Sequence, residues 1–147
     1  MATVSIFDQD TLERSLTSED INFEKIDKNN YLLNFEYDNE CGCEIQVILS
    51  IDGQQNEIFA VRAFTDREIP KSQWADIIML CNSWNKMSRW PKAYLDVTAP
   101  DTVGKIVLEE QIDLSKGIQD GLLIDYMKTA IGSAFQFYKW MHKENGF

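Results

Sequence analysis

The residues of this chain most suited to nucleophilic or metal chemistry are three cysteines, Cys41, Cys43 and Cys81, and one histidine, His142. Cys41 and Cys43 stand two apart, and Cys81 lies far along the chain. An odd count leaves no complete disulfide framework. The C-x-C spacing is not the C-x-x-C of a zinc knuckle or a thioredoxin-like redox site. A four-ligand zinc site would need His142 and Cys81 to converge on the pair from a distance. Ordinary reduced thiols are therefore expected. Among the carboxylates, Glu109-Glu110 and the Asp66/Glu68 pair could in principle serve as an acid and a base. General acid–base work needs a carboxyl group desolvated or set against a partner, and nothing in the sequence marks these as either. His142 has no identifiable Ser or Cys nucleophile beside it, so no triad can be assembled. The few glycines form neither G-x-G-x-x-G nor G-x-x-x-x-G-K, so no phosphate loop is present. The expectation is a protein that is not an enzyme and carries no cofactor and no metal.

Other function classes are limited by charge and hydropathy. The net charge is −10, whereas phosphate recognition requires clustered Lys and Arg, so a nucleic-acid partner is not expected. No apolar run approaches the roughly 18 residues that span a bilayer. The stretch Met1 to Asp10 has neither the basic nor the apolar region of a signal peptide, and the reading is a cytoplasmic protein. The charge is uneven: residues 1–69 hold 15 acidic and 5 basic side chains, and residues 70–147 hold 9 of each. That surplus supports solubility. It would also steer a basic partner if the acidic half formed one face in space.

Hydrophobic residues make up 44% of the 147 residues and aromatics 12%, enough for the core of one domain covering 1–147. A short first helix is expected over Asp10 to Leu16, with Asp10 as its cap and Glu13 completing a capping box. Phe23 to Ile26 suits a short lead-in strand. Tyr31 to Asp38 and Cys43 to Ile51 alternate with period 2, and Asp52-Gly53 suggests a tight hairpin into a return strand, Ile58 to Phe64. Ile69-Pro70 opens a long helix whose stripe is Trp74, Ile77, Ile78, Cys81, Trp84 and Met87 or Ser88, stopped by Trp90-Pro91. Ala93 to Ala99 and Ile106 to Ile112 form a second strand pair around a turn at Pro100-Asp101. A last helix runs from about Ile118 to Lys143. The order α-β-β-β-α-β-β-α makes an α+β fold, an antiparallel sheet with helices on one face.

The stretch Leu80-Cys81-Asn82-Ser83-Trp84-Asn85-Lys86, followed by Trp90-Pro91-Lys92-Ala93-Tyr94-Leu95-Asp96, resembles the YbjN-type domain of the bacterial sensory transduction regulator family. Val61-Arg62-Ala63-Phe64 and the return strand Lys105 to Leu114 look similar too, and the resemblance runs from about Asp10 to Lys143. It implies a fold shared with type III secretion chaperones and a non-enzymatic, chaperone-like or regulatory protein, often dimeric. It brings no catalytic residues.

The residues without a simple structural explanation are apolar. Leu32 and Ile48 interrupt the polar faces of their strands. Either they form an apolar patch on the outer sheet surface or the first helix covers them. Trp90 falls at a helix end, and Phe135 and Trp140 belong to a C-terminal helix that is apolar on more than one face. Tryptophan is enriched at interface hot spots. Leu32, Ile48, Trp90, Phe135 and Trp140 are thus the candidate partner-binding residues. Asn82 and Asn85, poor mid-helix residues, suit backbone groups of the following strand. Small residues Ala130, Gly132, Ser133 and Ala134 suit either tight packing on the sheet or a helix–helix dimer contact. Two functions fit. One is a protein-binding regulator or chaperone-like module, as a homodimer, taking a basic partner or client protein. The other is a small-molecule sensor with a pocket between the long helix and the sheet.

Overall fold

Odd-numbered positions of the three central strands are apolar except for Thr65, and they decide where the core lies. The computed structural model describes residues 3–97 and 103–147. In it, β3 (Asn30–Asp38), β4 (Cys43–Asp52) and β5 (Ile58–Thr65) form an antiparallel meander. Strand residues alternate between faces, so Tyr31, Leu33, Ile45, Val47, Leu49, Phe59, Val61 and Ala63 are buried together on one side.

Six strands make the main sheet, in the order β2 (Glu24–Lys25), β3, β4, β5, β7 (Lys105–Asp113), β6 (Lys92–Asp96), with every pairing antiparallel. β5 pairs with β7 rather than with β6, which places β6 at the edge. A separate two-stranded pair joins β1 (Val4–Ser5) to β8 (Ile118–Gln119). Three helices, α1 (Gln9–Ser18), α2 (Trp74–Met87) and α3 (Asp120–Lys139), bury their stripes in the same core. The molecule is α+β, with the helices on one face of the sheet.

Several boundaries differ from the sequence expectation, for local reasons. The cap of α1 is Asp8, not Asp10: its carboxylate accepts from the Thr11 N–H at 2.9 Å. Asp10 lies in the first turn, where a negative charge suits the helix dipole. Glu13 closes no capping box; it holds Lys25 at 2.8 Å and accepts from the Tyr31 hydroxyl at 2.9 Å. The Asp52-Gly53 turn is not tight. Residues 53–57 form a longer loop in which Gly53 and Asn56 take φ of +91° and +58°, and the Glu57 carboxylate accepts from the Gln55 N–H. Proline 70 leads into a 3₁₀ turn, Lys71–Gln73, before α2 begins. On α2 the buried line is Ile77, Leu80, Cys81 and Trp84, while Ile78 and Met87 point outward. Ile118 and Gln119 are strand, and α3 gives way to a π-helical turn at Trp140–Glu144. Thr98, Ala99 and the Pro100-Asp101 turn lie outside the described residues.

Candidate functional site

The same alternation that fills the core leaves the other face of the sheet polar, with an apolar centre. Leu32 is the direct cross-strand partner of Ile48. Ile48 pairs with Arg62, Arg62 with Glu109, and Glu109 with Lys92. These five residues form one transverse row across the open face, apolar toward the β3 side and ionic toward β6. Arg62 anchors the ionic half. Its Nε donates to Glu109 Oε1 at 2.9 Å and its Nη2 to Asp52 Oδ2 at 3.1 Å, while Lys92 Nζ lies 3.3 Å from Glu109 Oε2. Neighbouring positions add Phe64 opposite Gln46 and Tyr94 opposite Val107. Glu24, Asp52, Asp96, Glu109 and Asp113 occupy register positions on this face, against Arg62, Lys92 and Lys105.

The first helix does not cover this surface. Leu12 and Leu16 are fully buried on the opposite side, and Glu13 reaches Tyr31, a core-face residue. Leu32 and Ile48 are consequently half-buried by their own neighbours alone. The five candidate partner-binding residues do not converge. Leu32 and Ile48 stand together on the open face. Trp90, 50% exposed, lies on the turn between α2 and β6. Phe135 packs edge-on against Phe35 at 5.2 Å, and the Trp140 ring lies tilted against those of Trp84 and Phe137 at 5.6 and 5.9 Å. Phe135 and Trp140 therefore have partners within the chain, on the helix side. Phe64, Val107 and Tyr94 were not singled out in the sequence. The alternation that exposed Ile48 also places Phe64 on that face, and it was the available signal.

Asn85 has the structural role its chemistry suggests. Its Nδ2 donates to the Ala93 carbonyl at 3.0 Å and its Oδ1 accepts from the Ala93 N–H at 2.9 Å. Ala93 sits in the edge strand β6, so the side chain stands in for a missing neighbouring strand. Asn82 is exposed and makes no side-chain hydrogen bond among the described residues. Among the small residues of α3, Ala130 and Ala134 are buried, but Gly132 is exposed with open space about it.

All three cysteines are free and buried. Burial pushes the Cys41 thiol up to about 12 and those of Cys43 and Cys81 to about 11, the opposite of an activated thiolate. His142 lies against Gly42, whose φ of +69° and contact with the ring leave no space for a side chain. Glu109 and Glu110 point to opposite faces. Glu109 is taken up by Arg62 and Lys92. Glu110 is half-buried on the helix side, and desolvation pushes its carboxyl up while the Tyr126 hydroxyl beside it pulls the other way. Among the described residues no group of three His, Cys, Asp or Glu is placed to hold a metal ion. No described helix is long and apolar enough to cross a membrane.

Residues 8–143 match the family "YbjN: Putative bacterial sensory transduction regulator". The chain belongs to the YbjN family. Its fold is also that of a solved member: the crystal structure of YbjN, a putative transcription regulator from E. coli, superposes with a TM-score of 0.77 at 15% identity, covering 97% of each chain. No curated protein matches the sequence. The YbjN assignment thus carries a fold and a broad regulatory class, and the family is described as a regulator rather than as an enzyme.

Proposed function

We propose that this YbjN-family chain is a non-enzymatic, protein-binding regulator or chaperone-like module, cytoplasmic and homodimeric, with a fold related to the type III secretion chaperones. The observation that carries the reading is the open sheet face. Among the described residues the six-stranded sheet is packed on one side only, and its open side sets Leu32 and Ile48 beside five carboxylates, Glu24, Asp52, Asp96, Glu109 and Asp113, that outnumber the cations Arg62, Lys92 and Lys105. Uncovered apolar surface rimmed by polar groups is the usual mark of a protein interface, and the carboxylates favour a basic or amphipathic client. Net charge argues that any part in transcription is through protein rather than through DNA.

The test is capture of partners from native lysate with the wild-type chain and with Leu32→Ser/Ile48→Ser, across a salt series. A basic protein retained by the wild type, lost by the double variant and released as salt rises is the expected result. A complex indifferent to salt overturns the electrostatic part, and equal retention by the double variant overturns the surface. Light scattering on the purified chain tests the dimer. Ile77, Leu80, Cys81 and Trp84 of α2 are buried in the core, with Trp84 edge-on to Phe137, which favours the protein-binding reading over a small-molecule sensor with a pocket between α2 and the sheet.

A further inference from the structure

The sheet has a second opening, at an edge. Pairing between β6 and β7 ends at Lys92 opposite Glu109, but β7 runs on to Asp113, held on its other side by β5 as far as Ile58. Among the described residues, residues 110–113 of β7 therefore have a strand on one side only. Which backbone groups face outward follows from Asn85. That side chain binds the N–H and C=O of Ala93, so both point away from β7. In an antiparallel pair the backbone groups of successive residues alternate in direction. Leu108, opposite Ala93, then turns its groups toward β5, Glu109 toward β6, and Glu110 toward β5. Those of Gln111 and Asp113 point out of the sheet. The Leu114 N–H, which donates to the Glu57 carbonyl before β5 at 2.7 Å, keeps the same phase.

This free edge lines a notch of about 460 Å³ between the α2–β6 turn and α3, walled by Arg89, Trp90, Glu110, Gln111, Ile112 and Tyr126. The half-buried Glu110 carboxyl has one oxygen closed off from solvent with no hydrogen-bond partner. Such an unpaired oxygen is costly, and a cation brought alongside offsets part of that cost.

We propose that the notch takes a short extended peptide segment carrying a Lys or Arg, added antiparallel along Gln111 to Asp113 in line with β6. Main-chain bonds to Gln111 and Asp113 give the register, as in strand addition generally. The peptide residue opposite Ile112 then points to the helix side, into the cavity with Glu110 and Tyr126. A long cationic side chain there reaches the Glu110 carboxylate diagonally. Trp90, on the adjoining turn, covers the peptide's flank. The proposal rests on the reading that the ligand is a protein, but it concerns a separate site from the Leu32/Ile48 face.

The test uses the full ¹⁵N-labelled chain and two blocked hexapeptides, one alternating threonine with lysine and one alternating threonine with glutamate. The lysine peptide is expected to shift the amide signals of Gln111 and Asp113 and slow their hydrogen exchange. Glu110→Gln should weaken it about tenfold, the loss of one charge-assisted contact. Unmoved Gln111 and Asp113 amides at millimolar lysine peptide overturn the proposal. So does equal binding of the glutamate peptide, or a Glu110→Gln variant that binds as well as wild type. Polylysine titrated against the open face is read separately by the Ile48 and Arg62 amides. A response there with a silent edge removes this inference and leaves the open-face reading standing.

Discussion

The two faces of one sheet obey the same alternation and end in different states. On the helix side, Ile45, Val47 and Leu49 are fully buried in one apolar core with residues of α1 and α3. On the other side Ile48 stands between them in sequence, half-exposed, flanked by Leu32 and Arg62. The lesson is that strand alternation fixes which residues share a side, while the helices alone decide which side becomes interior. The sharpest way to break the comparison is to truncate adjacent residues. Leu49→Ala should cost about 2–5 kcal/mol, since a closed core cannot collapse around the cavity. Ile48→Ala should cost about 1 kcal/mol or less, as for most partly exposed positions. Urea denaturation measures both, and equal losses would mean the open face is as closed as the core.

The edge gives the next contrast, between two asparagines three residues apart on α2. Asn85→Ala leaves the Ala93 N–H and C=O without their partner and should cost about 1–3 kcal/mol. Asn82→Ala removes no such bond and should stay within about 0.5 kcal/mol. Amide exchange at Ala93 is the direct readout, faster in the first variant and unchanged in the second.

A smaller effect separates the two acids at the start of α1. Asp8→Ala removes the bond to the Thr11 N–H and should cost about 1 kcal/mol. Asp10→Ala loses only a charge near the helix dipole, at most about 0.5 kcal/mol at an exposed site. Thermal melts of both variants give the ranking, and the reverse order would return the cap to Asp10.

That pair shows how much was legible in the sequence. Period-2 and helical spacing located every long strand and helix, and α+β followed from their order. The cap shifted by two residues because Asp8 and Asp10 are chemically equivalent, and only the position of Thr11 distinguishes them. β2 was legible as the lead-in strand Phe23 to Ile26, but β1 and β8, of two residues each, are too short for any period to show. The pairing of β5 with β7 was equally hidden, since adjacency across α2 leaves no local trace. For the candidate surface, the sequence named Leu32 and Ile48 but could not tell that they are cross-strand partners, which depends on register. Phe135 and Trp140 read as available because apolar residues on several sides of a helix look alike whether they meet a partner or Phe35 and Trp84.

The subtlest contrast is between neighbours on β7. Glu109, on the open face, is neutralised by Arg62 and Lys92, whereas Glu110, on the helix side, is desolvated without a cation. Burial holds the folded-state pKa of Glu110 above its ordinary value despite the Tyr126 hydroxyl. The folded protein therefore binds this proton more tightly than the unfolded chain does. Well below the usual carboxylate range both states are protonated and the group has no penalty. As pH rises through the unfolded and then the raised folded pKa, the unfolded chain ionises more readily and stability is lost. Glu110→Gln cannot ionise, so its melting temperature should exceed that of the wild type at pH 7, with the gap closing toward pH 3. Glu109→Gln should do the reverse at pH 7, because it removes the partner of two cations and leaves Arg62 and Lys92 facing each other across the open face. Melting curves of both variants between pH 3 and pH 7 decide it. A Glu110→Gln gap that stays constant with pH would mean the carboxyl is not held apart from charge, and the contrast between the two faces would then rest on packing alone.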